Sequence, residues 1–213
     1  MRKALVIGAS SEIGLEVVKE LIRKDYHIFC TYYKNLNKIK ILKKNNVTKI
    51  QYFKLNLKSL KSIKAFAYKI NQTTKNIDLL ILGANINSKR KEFMKINYKL
   101  FREKINSNFL SYIFLIQLLI KNLLKKKKVK IIHISTLASK RGSWGLAEYS
   151  SSKAALDNVL KCIGFEYKNL DINSVYLGPV ETKGYYFANK TNKKTKTKFI
   201  TPKKAGLKII KKI

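Results

Sequence analysis

The chain has 213 residues, 46% of them hydrophobic, and a formal net charge of +34 at pH 7. That length suits one domain with a full core. The charge comes from 41 lysines against 5 arginines, spread among Ile, Asn, Tyr and Phe. A/T-rich codons favour these residue types, and arginine is the better reader of bases and phosphates, so coding bias explains the charge and no specific nucleic-acid partner is expected. Cys30 and Cys162 make no metal-like spacing with the two histidines. No metal is expected, and a reducing cytoplasm fits. The N-terminal apolar run is too short for a signal peptide. Phe109 to Leu124, the most apolar segment, is interrupted by Ser111, Gln117, Lys121 and Asn122. It falls short of the ~20 residues of a membrane span and reads as a buried helix.

In chain order, short apolar runs alternate with helical patterns. Ala4 to Ile7 is a strand, followed at once by Gly8-Ala9-Ser10-Ser11-Glu12-Ile13-Gly14. Ile13, Val17, Val18, Leu21 and Ile22 then recur on one helical face. His27 to Tyr32 is a second strand and Leu36 to Lys44 its helix; Lys49 to Leu55 is a third. Leu60 to Asn71 is amphipathic through Ile63, Phe66, Ala67 and Ile70. Leu79 to Leu82 is a fourth strand, with a long helical region running to about Lys125. Val129 opens a fifth strand, and a loop punctuated by Gly142 and Gly145 leads to a helix from near Glu148. A sixth strand lies near Ile172 to Tyr176. Lys183 to Lys198 is polar and aperiodic, which predicts a mobile loop over about 183–200. Thr201-Pro202 opens a last helix, with Thr as cap and Pro at the first position. The alternation predicts a single α/β domain, a doubly wound, Rossmann-like parallel sheet covered on both faces.

Two places carry chemistry. Strand, glycine turn and helix N-terminus make an anion site, because free backbone N–H groups and the helix dipole point at a phosphate. Tyr149 and Lys153, four residues apart, share one helix face. A phenol titrates near ~10, and a nearby ammonium favours its ionised form, bringing it toward useful acid–base strength. Alone, Y-x-x-x-K is a common accident in a chain so rich in Tyr and Lys. Its order after the glycine turn gives it weight.

With the glycine turn and the Tyr/Lys pair in that order, the chain resembles the classical short-chain dehydrogenase/reductase family, over nearly its whole length. Glu12 stands where that family usually has a third glycine. The family's N-N-A-G appears as Leu82-Gly83-Ala84-Asn85, and its P-G-x-x-x-T turn as Leu177-Gly178-Pro179-Val180-Glu181-Thr182. The resemblance implies hydride transfer between NADP(H) and a carbonyl or alcohol substrate. Tyr149 would be the general acid in reduction. Lys153 would depress its pKa and contact the nicotinamide ribose. Thr136, 13 residues before the tyrosine where the family has serine, would hold the substrate oxygen, and Asn108 would support a proton relay. Gly8, Ser10, Ser11, Ile13 and Gly14 would cradle the cofactor phosphates. Asn56 would lie against the adenine, Ala84 would contact the cofactor from the loop after the fourth strand, and Val180 and Thr182 would hold the carboxamide. Tyr32-Tyr33-Lys34 places a cation and no acid at the ribose, so NADP(H) is favoured over NAD(H). Residues 183–200 would close over the substrate, and the resemblance leaves room for a homo-oligomer. Family members usually add a strand beyond the last helix, where this sequence reaches Ile213. Two other readings stay open: a non-catalytic dinucleotide-binding regulator or scaffold of the same fold, and a basic protein associated with nucleic acid.

Overall fold

In the computed structural model, which describes residues 1–46, 48–86, 88–189 and 198–213, the first apolar run is the strand β1 (Arg2–Ile7). Its residues Ala4 to Ile7 are buried, as a central parallel strand with helices above and below requires. Around it lie β2 (Tyr26–Tyr32), β3 (Ile50–Lys54), β4 (Leu79–Leu82), β5 (Val129–Thr136) and β6 (Leu170–Leu177). The sheet order is β3-β2-β1-β4-β5-β6, and every pairing is parallel. The chain winds from β1 to one edge, returns, and winds to the other. The reversal falls between β1 and β4, where a crevice opens beyond the carboxyl ends of the strands.

Each sheet face has its own helices. On one, α1 (Glu12–Arg23), α2 (Asn37–Lys44) and α9 (Pro202–Ile210) bring Val18, Leu21, Ile39 and Ile209 against Val6, Ile28 and Ile132. On the other, α3 (Leu60–Thr73), α5 (Ser111–Leu123) and α7 (Ala147–Glu166) bring Phe66, Tyr112, Leu115 and Leu156 against Leu5, Leu80 and Ile131. Each such side chain contributes roughly 1.5–3 kcal/mol by leaving water. The glycine turn and the Tyr/Lys helix are therefore anchored at the rim of a well-packed sheet.

Three segments differ from the sequence expectation. Between β4 and β5 the long helical region is divided into a 3₁₀ turn (Phe93–Lys95), α4 (Tyr98–Ile105), a π-helical turn (Asn106–Leu110) and α5, which is the buried helix expected near Phe109 to Leu124. Asn97 caps a fresh helix start by accepting from the Leu100 N–H at 2.9 Å, a break that apolar periodicity does not register. The glycine loop after β5 begins as the short helix α6 (Leu137–Arg141). Part of the expected mobile loop is the helix α8 (Lys183–Asn189). Thr182 Oγ1 accepts from the Tyr185 N–H at 3.1 Å, and the Tyr185 ring meets Phe199 edge-on at 5.0 Å. Two turns are too short to display a period. Residues 190–197 of that loop lie outside the described residues. The last helix starts as expected, Thr201 accepting from the Lys204 N–H with Pro202 in the first turn. Among the described residues, no helix is long and apolar enough to cross a membrane.

Candidate active site

The turn after β1 is built on two glycines. Gly8 has φ of 90°, in the left-handed region, and a Cβ there would lie 2.5 Å from the Ala84 nitrogen. A Cβ on Gly14 would lie 2.2 Å from the Gly8 carbonyl oxygen, so the helix starts tight against the turn. Ser11 joins the two, donating to the Gly8 carbonyl at 2.9 Å and accepting from the Gly14 N–H at 3.0 Å. Ser10, Ser11 and Ile13 line the crevice, at the positive end of the α1 dipole. The turn thus makes the close backbone cradle that a dinucleotide phosphate needs. The Glu12 carboxylate, in place of a third glycine, accepts from the Lys183 N–H of α8 at 2.9 Å.

The crevice has a volume of about 680 Å³ and runs from Lys34, just past β2, to Tyr149. Ala84, Thr136, Val180 and Thr182 also line it, as does Gly8. Lys34 lies 5.7 Å from the ring centre of Tyr33. Asn56 is not a lining residue; its neighbours Leu55 and Leu57 are. Its side-chain oxygen turns back to accept from the Lys58 N–H at 3.1 Å.

At the far end, the Tyr149 hydroxyl accepts from the Asn85 side-chain amide at 3.0 Å. Burial pushes the Tyr149 phenol pKa up, and the Asn85 hydrogen bond works against that rise. Lys153, only 1% exposed, donates to His133 Nε2 at 3.2 Å and to the Ile134 carbonyl at 3.0 Å. The bond that opposes the rise of the phenol pKa therefore comes from Asn85, while the Lys153 ammonium is engaged with His133 and the Ile134 carbonyl. Asn108 sits fully buried in the π-helical turn, a distortion frequent at functional sites. It accepts from the Ile86 N–H at 2.8 Å and donates to the Ile86 carbonyl at 3.2 Å, fixing the loop that carries Asn85. Ser135 and Thr136 diverge as strand alternation requires. The Ser135 hydroxyl donates to Asp157 at 2.7 Å, whereas Thr136 accepts from the Ala138 N–H at 3.3 Å, leaving its own proton free to donate.

Four residues here were not singled out from the sequence. Asn85 was marked only as a departure from N-N-A-G. His133 and Asp157 back the lysine, and a polar pair inside an apolar strand and four residues past Lys153 was the available signal. Arg90 ties three segments together, donating to the Asn189 side chain of α8, to Ser143 at 3.1 Å and to the Trp144 carbonyl. Nothing in its local sequence marks it.

Sheet order, glycine cradle at the switch point and a crevice along the carboxyl edge define a Rossmann-type nucleotide-binding domain. Residues 2–193 match the short chain dehydrogenase family; the chain belongs to that family and is an oxidoreductase of its type. It is 29% identical over 188 residues to the 3-oxoacyl-[acyl-carrier-protein] reductase FabG of Buchnera aphidicola subsp. Acyrthosiphon pisum, an alignment covering 84% of this chain and 73% of that protein. The alcohol dehydrogenase of Thermococcus sibiricus, solved with 5-hydroxy-NADP, superposes with a TM-score of 0.86 at 19% identity, covering 100% of this chain and 91% of that one. A short chain dehydrogenase from Shigella flexneri, solved with NADP, superposes with a TM-score of 0.85 at 22% identity, covering 95% and 86%.

Proposed function

We propose that the chain is an NADP(H)-dependent reductase of 3-oxoacyl thioesters. The observation that carries this reading is one continuous crevice with the glycine cradle and Lys34 at one end and the Tyr149 phenol beside Thr136 at the other. Gly8, Ser10, Ser11, Ile13 and Ala84 would hold the dinucleotide, with Val180 and Thr182 at its carboxamide. Lys34, with no acid at Tyr32 or Tyr33, would pair with a 2′-phosphate. When bound, that cofactor supplies the hydride.

The chain's own residues handle position and protons. Thr136 donates a hydrogen bond to the carbonyl oxygen, keeping its own proton, and steadies the charge that develops there. Tyr149 gives its proton to the same oxygen, aided by the Asn85 bond that favours the phenolate. Lys153 keeps a positive charge behind the phenol. Asn108 holds the Ile86 loop by both backbone groups. Glu12 and Arg90 tie the two ends of α8 to the glycine turn and to the loop after α6. The substrate class rests on the reductase relative, and the basic surface would steer an acidic acyl carrier.

The test is NADPH oxidation with acetoacetyl-CoA by wild type and Tyr149→Phe. The variant should lose roughly 10²–10⁴-fold in turnover while keeping NADPH affinity. No oxidation of NADPH by wild type with any 3-oxoacyl thioester, or near-normal rates in the Phe variant, would sink the reading.

A further inference from the structure

We infer that His133 and Asp157 form a buried positioning pair that holds the Lys153 ammonium behind Tyr149, an assignment that rests on the reductase reading above. Strand β5 turns His133 toward α7, where its ring has no exposed surface. Its Nδ1 lies 2.8 Å from Asp157 Oδ1 and its Nε2 lies 3.2 Å from Lys153 Nζ. An ammonium can only donate, so Nε2 must offer a lone pair. The ring proton then sits on Nδ1 and donates to Asp157. Only this neutral tautomer satisfies both neighbours.

Asp157 is built to stay ionised. Besides His133, its carboxylate accepts from Ser135 at 2.7 Å, Ser174 at 2.6 Å and Ser139 at 3.0 Å. Burial works to raise its pKa, and the bonds from His133, Ser174 and Ser135 outweigh it and hold the group at about 2. Burial, then the Lys153 charge, lowers His133 to about 4, so its ring stays neutral at working pH. Burial also lowers Lys153 to about 8, with Asp157 opposing. Among the described residues, Tyr149 and the buried Glu148 share the helix of Lys153. Tyr176 of β6 faces Asp157, its pKa raised by burial and by that carboxylate, with its ring centre 3.9 Å from Lys140 Nζ.

Lys153 therefore stands close to losing its proton near neutral pH, and the pair supplies the acceptor and the negative charge that retain it. Neither residue touches the phenol or the crevice end where the substrate carbonyl would lie. Their effect passes through the lysine.

The experiment has two arms. With only two histidines in the chain, ring ¹⁵N spectra of the wild type and a His27→Gln variant assign His133 directly. Its ring should remain neutral with the proton on Nδ1 from about pH 5 to about 9. A proton on Nε2, or titration near the ordinary ~6.5, would overturn the assignment, whether or not the protein is a reductase.

The second arm follows acetoacetyl-CoA reduction by NADPH against pH. His133→Leu removes the acceptor, so the alkaline limb of kcat/KM should move down by about one pH unit and kcat should fall about tenfold. Asp157→Asn keeps an acceptor for Nδ1–H but loses the charge, and should fall between Leu and wild type. His133→Gln, whose side-chain oxygen can reach the Nε2 position, should recover most of both effects. If the pair only ties strand to helix, the Leu variant melts earlier with an unmoved pH limb, and the inference fails while the reductase stands. Should His133→Leu not fold, the Gln and Asn variants carry the same comparison. Equal limbs in both would count against it.

Discussion

Replacing each of the two adjacent hydroxyls at the end of β5 by alanine separates chemistry from stability. Thr136 lines the crevice and accepts only a 3.3 Å bond from the Ala138 N–H, so its proton is available to a substrate oxygen. Thr136→Ala should cost on the order of 10²–10³ in kcat, the usual loss for one donor to developing oxygen charge. Thr136→Ser keeps the donor and should stay within about threefold of wild type. Ser135 borders the same crevice but is only 4% exposed and donates its hydrogen bond to Asp157. A hydrogen bond to a charged group contributes about 1.5–3 kcal/mol. Three donors remain on Asp157 after Ser135→Ala, which favours the low end. For a chain of this size each kcal/mol moves Tm by ~2–4 °C, so melting should fall by about 3–6 °C with kcat changed only a few-fold. NADPH oxidation with acetoacetyl-CoA and a thermal melt on the same samples decide it. If Ser135→Ala loses turnover and Thr136→Ala loses only stability, the parity of the strand end has been misjudged by one residue.

NADPH should bind more tightly than NADH, and Lys34→Ala should remove most of that difference; a fluorescence titration giving equal wild-type affinities for the two would refute it. Asn85→Gly, which restores the family's usual glycine, removes the one hydrogen bond that opposes burial at Tyr149; kcat should fall roughly tenfold, and tyrosinate absorbance should emerge at higher pH. Acid should destabilise the fold through His133, whose folded pKa of about 4 lies below its ordinary 6.5. The unfolded ring takes up its proton first, so roughly 3 kcal/mol is lost as pH falls through that window, and Asp157, lowered from 3.8 to about 2, adds a further loss below it. His133→Gln should flatten Tm between those pH values, and an unchanged slope would place the titration elsewhere.

Long-period features were legible in the sequence, and short ones were not. Leu79–Leu82 has the bounds expected of it, because four consecutive apolar residues between polar flanks have one reading in a parallel sheet. The Thr201-Pro202 start was equally plain, since cap and proline act locally. The break at Asn97 was lost inside the longer helical region expected there, and α8 was lost because its order depends on Phe199 and on Arg90 and Glu12, which are distant in sequence. At the site, spacing picked out Tyr149, Lys153 and Thr136, but it could not say which way a lysine turns. Asn56 was chosen by position after a strand, and its side chain folds onto its own turn instead. Asn85 could not be read as a partner of Tyr149, because contact between residues 64 apart leaves no local trace.

The parity of β5 links these observations. In a parallel sheet, residues paired in register face the same side, and here His133 pairs with Ser174, while Thr136 pairs with Leu177. Odd positions of β5 look toward α7: Ile131 packs in the same core as Leu156, and His133 and Ser135 reach Asp157. Even positions look toward α1 and α9, as Ile132 does, and the last of them, Thr136, emerges at the crevice. One strand thus holds α7 in place with one set of side chains and presents a hydroxyl to the crevice with the other. A slip of one residue would exchange the two sets, sending isoleucines to Asp157 and leaving a charged carboxylate buried against hydrocarbon. Because that exchange is so unfavourable, the packing that fixes the register also fixes the distance between the threonine hydroxyl and the tyrosine of α7. Here the electrostatics behind the lysine and the geometry in front of it have a common origin in the order of eight residues.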